Sequence, residues 1–364
     1  MHFSLVKIIP EGAFSSNCFD DIILPLFYSF ERLGFKVENL TNSLNPQSVN
    51  ILFGTCLVPA IHENLPSNSI IFNLEQITSP SCRWHNSKYT KDLNSYTVWD
   101  YSHRNVQYMQ KTLGLVDAVH VPLGYVPEMT RLSRTFPQDI DVLFYGTINE
   151  RRKTILDELA VSGASLGILQ SGYGVERDHA IARSRIVLNV HHYVPATLEL
   201  PRLGYLWANS RTVVSELRPE TEMFEGLEKA CAYVPYENIV SAVTSLLRSK
   251  ASRTQQAEAG FAAFSQRKQE DLLEALVGRK NFSAAGRRVP QHLHVGSGKD
   301  FRSECINIDF NERMNPDNVL DVSRPLDHAA FHKTKRFGDI RLMPGGYKRI
   351  TAFEVIEHVR DVPQ

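Results

Sequence analysis

Asp141-Val-Leu-Phe-Tyr-Gly-Thr-Ile-Asn-Glu-Arg-Arg-Lys153, followed by Ile186-Val-Leu-Asn-Val-His-His192 and Glu199-Leu-Pro-Arg202, is the part of this chain whose reading decides the fold. The first run is an apolar strand that stops at Gly146 and Thr147. It passes into a helix whose first turn carries Arg151, Arg152 and Lys153. Free N–H groups and the helix dipole already favour an anion there, and Gly146 lets backbone approach it closely. The second run is a buried strand ending in Asn189, His191 and His192. Two such strands side by side form a phosphate-binding crevice at the carboxyl edge of a parallel sheet. The plainer alternative is a solvated cationic helix face.

Glu199 and Arg202, three apart, share one face of a helix. Arg202 would reach a phosphate and Glu199 would accept sugar or ribose hydroxyls, with His191 close to the same chemistry. A structural Glu–Arg pair beside satisfied histidines is the competing reading.

Working outward, residues 1–125 alternate short apolar runs (3–9, 36–40, 50–54, 69–72, 96–99, 118–121) with amphipathic stretches, above all 19–33 before Gly34. That rhythm predicts an α/β fold, an open parallel sheet with helices on both faces. Residues 122–137, with Pro122, Pro127 and Pro137, read as a linker. A second α/β domain is expected over 138–280, closed by one long helix over 253–277. A basic link over 279–290 leads to a third segment, 291–364.

Polar residues just after strands of the first domain, Glu75, Gln76, Asp100, Tyr101 and Ser102, would face the crevice from its other side. The turn that starts at Gly12 belongs with them. Asp100 and Ser102 equally suit helix N-caps. In the third segment Gly296 and Gly298 form a Gly-x-Gly turn after a short strand, and Asp309 ends the next strand, a pattern that suits a cofactor and its ribose. Asp300 and Phe301 follow the turn, so no nicotinamide fingerprint is complete.

Forty basic and forty acidic residues leave no global field to draw nucleic acid or an anionic membrane. The five scattered cysteines fit neither a disulfide framework nor a zinc site, and a cytoplasmic location is expected. No apolar run approaches the roughly 18 to 20 residues that span a bilayer, so any membrane contact would be peripheral. Asp139-Ile-Asp141 has D-x-D spacing, but alternation puts both side chains at the opening of a strand, away from the crevice. No metal is expected.

Residues 1–280 resemble bacterial GT-B glycosyltransferases of the group-1-like, CgeB-like kind. The segments that carry the likeness are Phe144–Arg152, Tyr173-Gly-Val-Glu-Arg-Asp178, Ile181–Asn189, Glu199–Tyr205 and Val213-Val-Ser-Glu216. The resemblance implies two Rossmann-like domains, a nucleotide-sugar donor held mainly by the second, metal independence, retention of configuration, and a glycan acceptor of the kind met in polysaccharide biosynthesis. Where such enzymes commonly carry a ribose-binding Glu, this chain has Tyr205, and Glu199 would take its place. Residues 291–364 are similar to the beginning of a class I S-adenosylmethionine-dependent methyltransferase, through Leu293–Gly298, Ile306–Asp309, Asp321–Leu326 and Ala352–His358. The chain ends before the remaining strands of such a domain, so this module is expected to be partial. Two other readings stay open: a methyltransferase with a glycan-binding first part, and a non-catalytic GT-B-like binding module.

Overall fold

The computed structural model describes residues 1–277, apart from 13–16, 59–64, 67–68, 79, 86, 94–95, 116, 134–135, 171 and 194–196, and beyond them residues 292–302, 305–322, 332–335, 338–340, 342, 347 and 349–352. Apolar runs too continuous to leave a face in water become the central strands of two parallel sheets, as expected when helices cover both sides. The first sheet contains β1 (His2–Lys7), β2 (Lys36–Thr41), β3 (Val49–Phe53), β4 (Ser69–Asn73), β5 (Thr97–Asp100) and β6 (Val119–His120), in the order β2-β1-β3-β4-β5-β6. Every residue of β3 and β4 is buried. Helices α1 (Asp20–Arg32), α2 (Lys88–Asp92) and α3 (His103–Lys111) accompany it. Asp20 and Asp21 in the first turn of α1 and Arg32 in its last complement the helix dipole.

The second sheet holds β7 (Ile140–Tyr145), β8 (Leu166–Leu169), β9 (Ser184–Asn189), β10 (Val213–Glu216) and β11 (Ala232–Val234), in the order β11-β10-β9-β7-β8. Around it run α4 (Glu150–Val161), α5 (Val175–Arg183), α6 (Leu200–Ala208), α7 (Ile239–Arg248) and α8 (Lys250–Ser265), and α9 (Gln269–Val277) follows them in the chain. The chain leaves β7 toward β8 on one side and reaches β9 on the other. The carboxyl ends of β7 and β9 therefore flank a topological switch point, where an open α/β sheet binds its ligand.

The expected single helix over 253–277 is broken. Arg267 and Gln269 turn aside to pair with the linker: the Tyr125 N–H donates to the Arg267 carbonyl (2.7 Å), and the Gln269 N–H donates to the Tyr125 carbonyl (3.0 Å). The Gln269 side chain completes the clasp, accepting from the Gly124 N–H at 2.6 Å and donating to the Pro122 carbonyl at 3.1 Å. After this break α9 packs on α1, returning the chain to the first half. One apolar core runs continuously from Phe3, Phe30 and Phe53 through Val126 and Met129 to Leu203, Trp207 and Phe264. A polar contact joins the halves too, for the Glu222 carboxylate accepts from the Ser102 hydroxyl (2.5 Å) and the His103 N–H (2.7 Å) at the start of α3.

A third parallel sheet comprises β12 (His292–Val295), β13 (Ile306–Asp309), β14 (Asn318–Val319) and β17 (Arg349–Ala352), in the order β14-β13-β12-β17. Strands β15 (His332–Thr334) and β16 (Gly338–Ile340) pair antiparallel. Its core is small, centred on Leu293, Ile306, Ile308 and Leu342. The basic link over 279–290 and the segments 323–326 and 353–358 lie outside the described residues. Among the described residues, no helix is long and apolar enough to cross a membrane.

Candidate functional site

A cavity of about 600 Å³ opens between the first two sheets, and both supply its walls. The second sheet contributes Tyr145, Gly146 and Thr147 after β7, Arg152 from α4, Gln170 and Tyr173 after β8, Arg177 from α5, and Glu199 and Arg202 at the start of α6. The first contributes Cys18, Asp21, Glu75, Gln76, Arg83, Trp84 and Tyr101.

Gly146 has φ +126°, and a Cβ there would stand 3.2 Å from an Arg202 guanidinium nitrogen. Glycine is thus required both for the turn and for the close approach of Arg202 to the backbone. The Arg202 guanidinium lies over the Tyr145 ring, 4.7 Å from its centroid, and its Nε is 3.4 Å from the Glu199 carboxylate. Arg152 is nearly buried. Its Nε donates to the Val190 carbonyl at 2.9 Å and its Nη1 to the Thr147 carbonyl at 2.8 Å, which ties the ends of β7 and β9 together. Its other nitrogen approaches Glu199 at 3.5 Å. Burial pushes the Glu199 carboxyl up, but Arg202 and Arg152 beside it hold it below its ordinary value, so it is an anion between two cations.

Other expected residues stand behind this wall. Arg151 grips the buried Glu216 carboxylate with both ends of its fork (2.5 Å each), stacks on Tyr236 and does not line the cavity. Asn189 is fully buried and donates to the Ser215 hydroxyl at 3.1 Å. His191 is 1% exposed, neither ring nitrogen has a hydrogen-bond partner among the described residues, and burial lowers its pKa. It is a neutral ring in the core, outside the cleft surface where a catalytic role was expected. Tyr205 lies beneath the site, with Arg131 and Arg177 4.9 and 4.4 Å from its ring centroid and its hydroxyl accepting from Arg131 at 2.9 Å.

Of the first-domain candidates, Glu75, Gln76 and Tyr101 reach the cavity. Asp100 does not. Fully buried, it accepts from Asn73 (2.6 Å), Asn105 (2.9 Å) and the Ser102 N–H (2.7 Å), while burial pushes its carboxyl up to about 8. Ser102 is the N-cap of α3, accepting from the Asn105 N–H at 3.1 Å. Gly12 adopts φ +76° in an exposed turn, and residues 13–16 after it lie outside the described residues.

Asp21, Arg83, Trp84 and Arg177 also line the cavity and carry no strand-end signal in the sequence. Arg177 is bound to Asp21 across the cleft at 2.5 and 3.1 Å. The Tyr145 hydroxyl is buried without a partner among the described residues. Arg83 lies over Trp84, 4.4 Å from the ring centroid.

The D-x-D pair sits at the amino end of β7, where Arg183 holds Asp139 and Arg185 holds Asp141 at 2.6 Å. Among the described residues no cluster of three His, Cys, Asp or Glu side chains is arranged to hold a metal. In the third sheet Gly296 and Gly298 both have positive φ, and the Asp309 carboxylate accepts from the Gly298 and Asn311 N–H groups at 2.8 Å each. One of its oxygens is thus engaged by the glycine turn and the other by the backbone just after β13.

No protein-family model matches this sequence. Uncharacterized protein L140 of Acanthamoeba polyphaga mimivirus is 32% identical over 130 residues, which cover 34% of this chain and 40% of that protein. Proteins L137 and L138 of the same virus, also uncharacterized, are 28% and 27% identical over stretches covering 17% and 16% of their length. Among solved structures, Anabaena Alr3699/HepE in complex with UDP and glucose matches with a TM-score of 0.51 and 10% identity, over 77% of this chain and 99% of its own. Its complex with UDP-glucose gives the same TM-score at 11% identity. That likeness shows the fold, the GT-B arrangement of Rossmann-like α/β domains.

Proposed function

We propose that this chain moves a sugar from a nucleotide-sugar donor to an acceptor hydroxyl in the cleft between the first two sheets. The observation that carries the reading is the placement of Arg202 beside Gly146 at the β7–β9 switch point, facing a cavity walled on its far side by the other sheet. A diphosphate leaving group needs positive charge as the glycosidic bond breaks. Arg202 meets it directly, the outer nitrogen of Arg152 supports it, and Gly146 and Thr147 give it backbone. Glu199 holds Arg202 in place and turns toward the ribose or the sugar. UDP and UDP-glucose in the Anabaena protein support a donor of this class in a chain of this fold. The acceptor is a glycan or another hydroxyl compound, held by Glu75, Gln76, Arg83, Trp84 and Tyr101. The reaction needs no metal, a reading supported by Asp139 and Asp141 being tied to arginines at the other end of β7.

A thermal-shift series with UDP, GDP, dTDP and CDP, their sugar conjugates and S-adenosylmethionine, with and without EDTA, tests this. A ligand of the native state at 100 times its Kd adds about 2.7 kcal/mol. One nucleotide class should raise Tm regardless of EDTA. A rise with S-adenosylmethionine alone would move the activity to the third sheet and sink the proposal. Arg151→Ala should leave nucleotide affinity within about twofold while lowering Tm, because it strips a partner from the buried Glu216 carboxylate. Titration calorimetry separates the two effects, and lost affinity would return Arg151 to the phosphate site.

A further inference from the structure

The described acidic residues that line the cleft are Asp21, Glu75 and Glu199. Two of them are neutralised: Asp21 by Arg177 at 2.5 Å, and Glu199 by Arg202 and Arg152 at 3.4 and 3.5 Å. Glu75 has no ion-pair partner among the described residues; its carboxylate accepts from the Cys56 thiol at 3.4 Å and from the Trp84 side chain, and feels the Arg83 charge without pairing with it. Its backbone, by contrast, is firmly held. The Glu75 carbonyl accepts from Asn73 (3.0 Å), Asn105 (2.9 Å) and the Ile77 N–H (2.9 Å), and its N–H donates to Asn73 at 3.3 Å. Both asparagines are anchored on the buried Asp100. A cleft carboxylate fixed by a rigid backbone and left without a neutralising cation in contact is the arrangement a proton acceptor needs. Burial also raises its proton affinity, in the direction that suits a base.

The leaving-group cations come from the second sheet and Glu75 from the first, so base and diphosphate would flank a sugar from opposite walls. We infer that Glu75 is the general base of the transfer, taking the proton of the accepting hydroxyl as its oxygen attacks the anomeric carbon on the face away from the diphosphate. The inference rests on the nucleotide-sugar reading. The new C–O bond forms as the bond to the β-phosphate oxygen breaks, and the electron pair leaves with the nucleoside diphosphate opposite Arg202. The proton stays on Glu75 until solvent removes it. A single displacement of this kind inverts the anomeric configuration, whereas the resemblance to group-1-like enzymes implies retention.

The test uses the full chain with UDP-glucose, GDP-mannose and dTDP-glucose and with water as acceptor. It reads diphosphate release and, by proton NMR, the anomer first set free. The wild type should yield the inverted sugar, such as β-glucose from α-linked UDP-glucose. Glu75→Gln, which keeps the shape of the side chain, should lose at least about 100-fold in kcat with donor KM unchanged. Glu75→Ala should recover rate when formate is added, a readout that a purely structural role would not move. Wild-type kcat in Glu75→Gln, a retained configuration in the first product, or nucleotide binding without release from any donor would each overturn Glu75 as the base. Failure of the wild type to bind UDP, GDP or dTDP would instead overturn the donor reading on which the inference stands.

Discussion

Arg202→Ala is expected to lower kcat/KM for donor turnover by about 100- to 1,000-fold, the range seen when one preorganised charge-stabilising group is removed. The guanidinium is the one that Gly146 leaves room for, braced on the Tyr145 ring and the Glu199 carboxylate, so on the proposed reading it would meet a diphosphate without first having to be ordered. Arg202→Lys keeps the charge and loses the planar fork, and should recover only part of the rate. Steady-state kinetics beside a melting curve make the measurement, and a kcat/KM within about threefold of wild type would place the phosphate contact elsewhere. The same change acts on Glu199. A depressed folded pKa gives stability that is complete above the pKa of the unfolded chain and is lost as pH falls through the lower folded value. Without Arg202 that acid window should narrow, which urea denaturation at a series of pH values would show.

Gly124→Ala should cost about 3 kcal/mol of stability, near the upper end for overpacking a closed site. A Cβ at Gly124 would stand 2.2 Å from the Arg267 carbonyl oxygen and 2.8 Å from a Leu272 methyl. The carbonyl cannot retreat, because it accepts from Tyr125 while Gln269 holds the other side of the clasp. Denaturant midpoints measure the loss. An unchanged midpoint would mean that the clasp contributes nothing to holding the halves together. Because the strain falls between the halves and away from the second-sheet residues of the cavity, affinity for the nucleotide identified by thermal shift should survive better than turnover, which would need both walls in register.

These two positions differ in how far the sequence alone reveals them. Arg202 was legible: an Arg three residues after a Glu, just past a buried strand, has few places to go in a parallel sheet. Gly146, Thr147, Arg152 and Glu199 gather with it for the same reason, since residues that follow β7 and β9 must meet at the switch point. Strands such as β7 and β9 were legible within about two residues because burial on both faces demands an unbroken apolar run. Arg151 was not separable from Arg152, for its engagement is decided by Glu216, which β10 brings up from 65 residues away. The break between α8 and α9 was hidden for a similar reason. Its cause is pairing with the linker at Pro122, Gly124 and Tyr125, Gly124 being 145 residues distant from Gln269, and the helical pattern on either side gives no sign of it. Arg83 and Trp84 sit in an aperiodic loop, where no repeat points to a face.

The return of α9 to α1 bears on how the protein is made. As the chain emerges from the ribosome, the first sheet can form early, but the apolar side of α1 that α9 will cover stays bare until the whole second half has been synthesised. The first half is then a waiting intermediate with exposed greasy surface, the kind of species that chaperones engage and that aggregates when they are scarce.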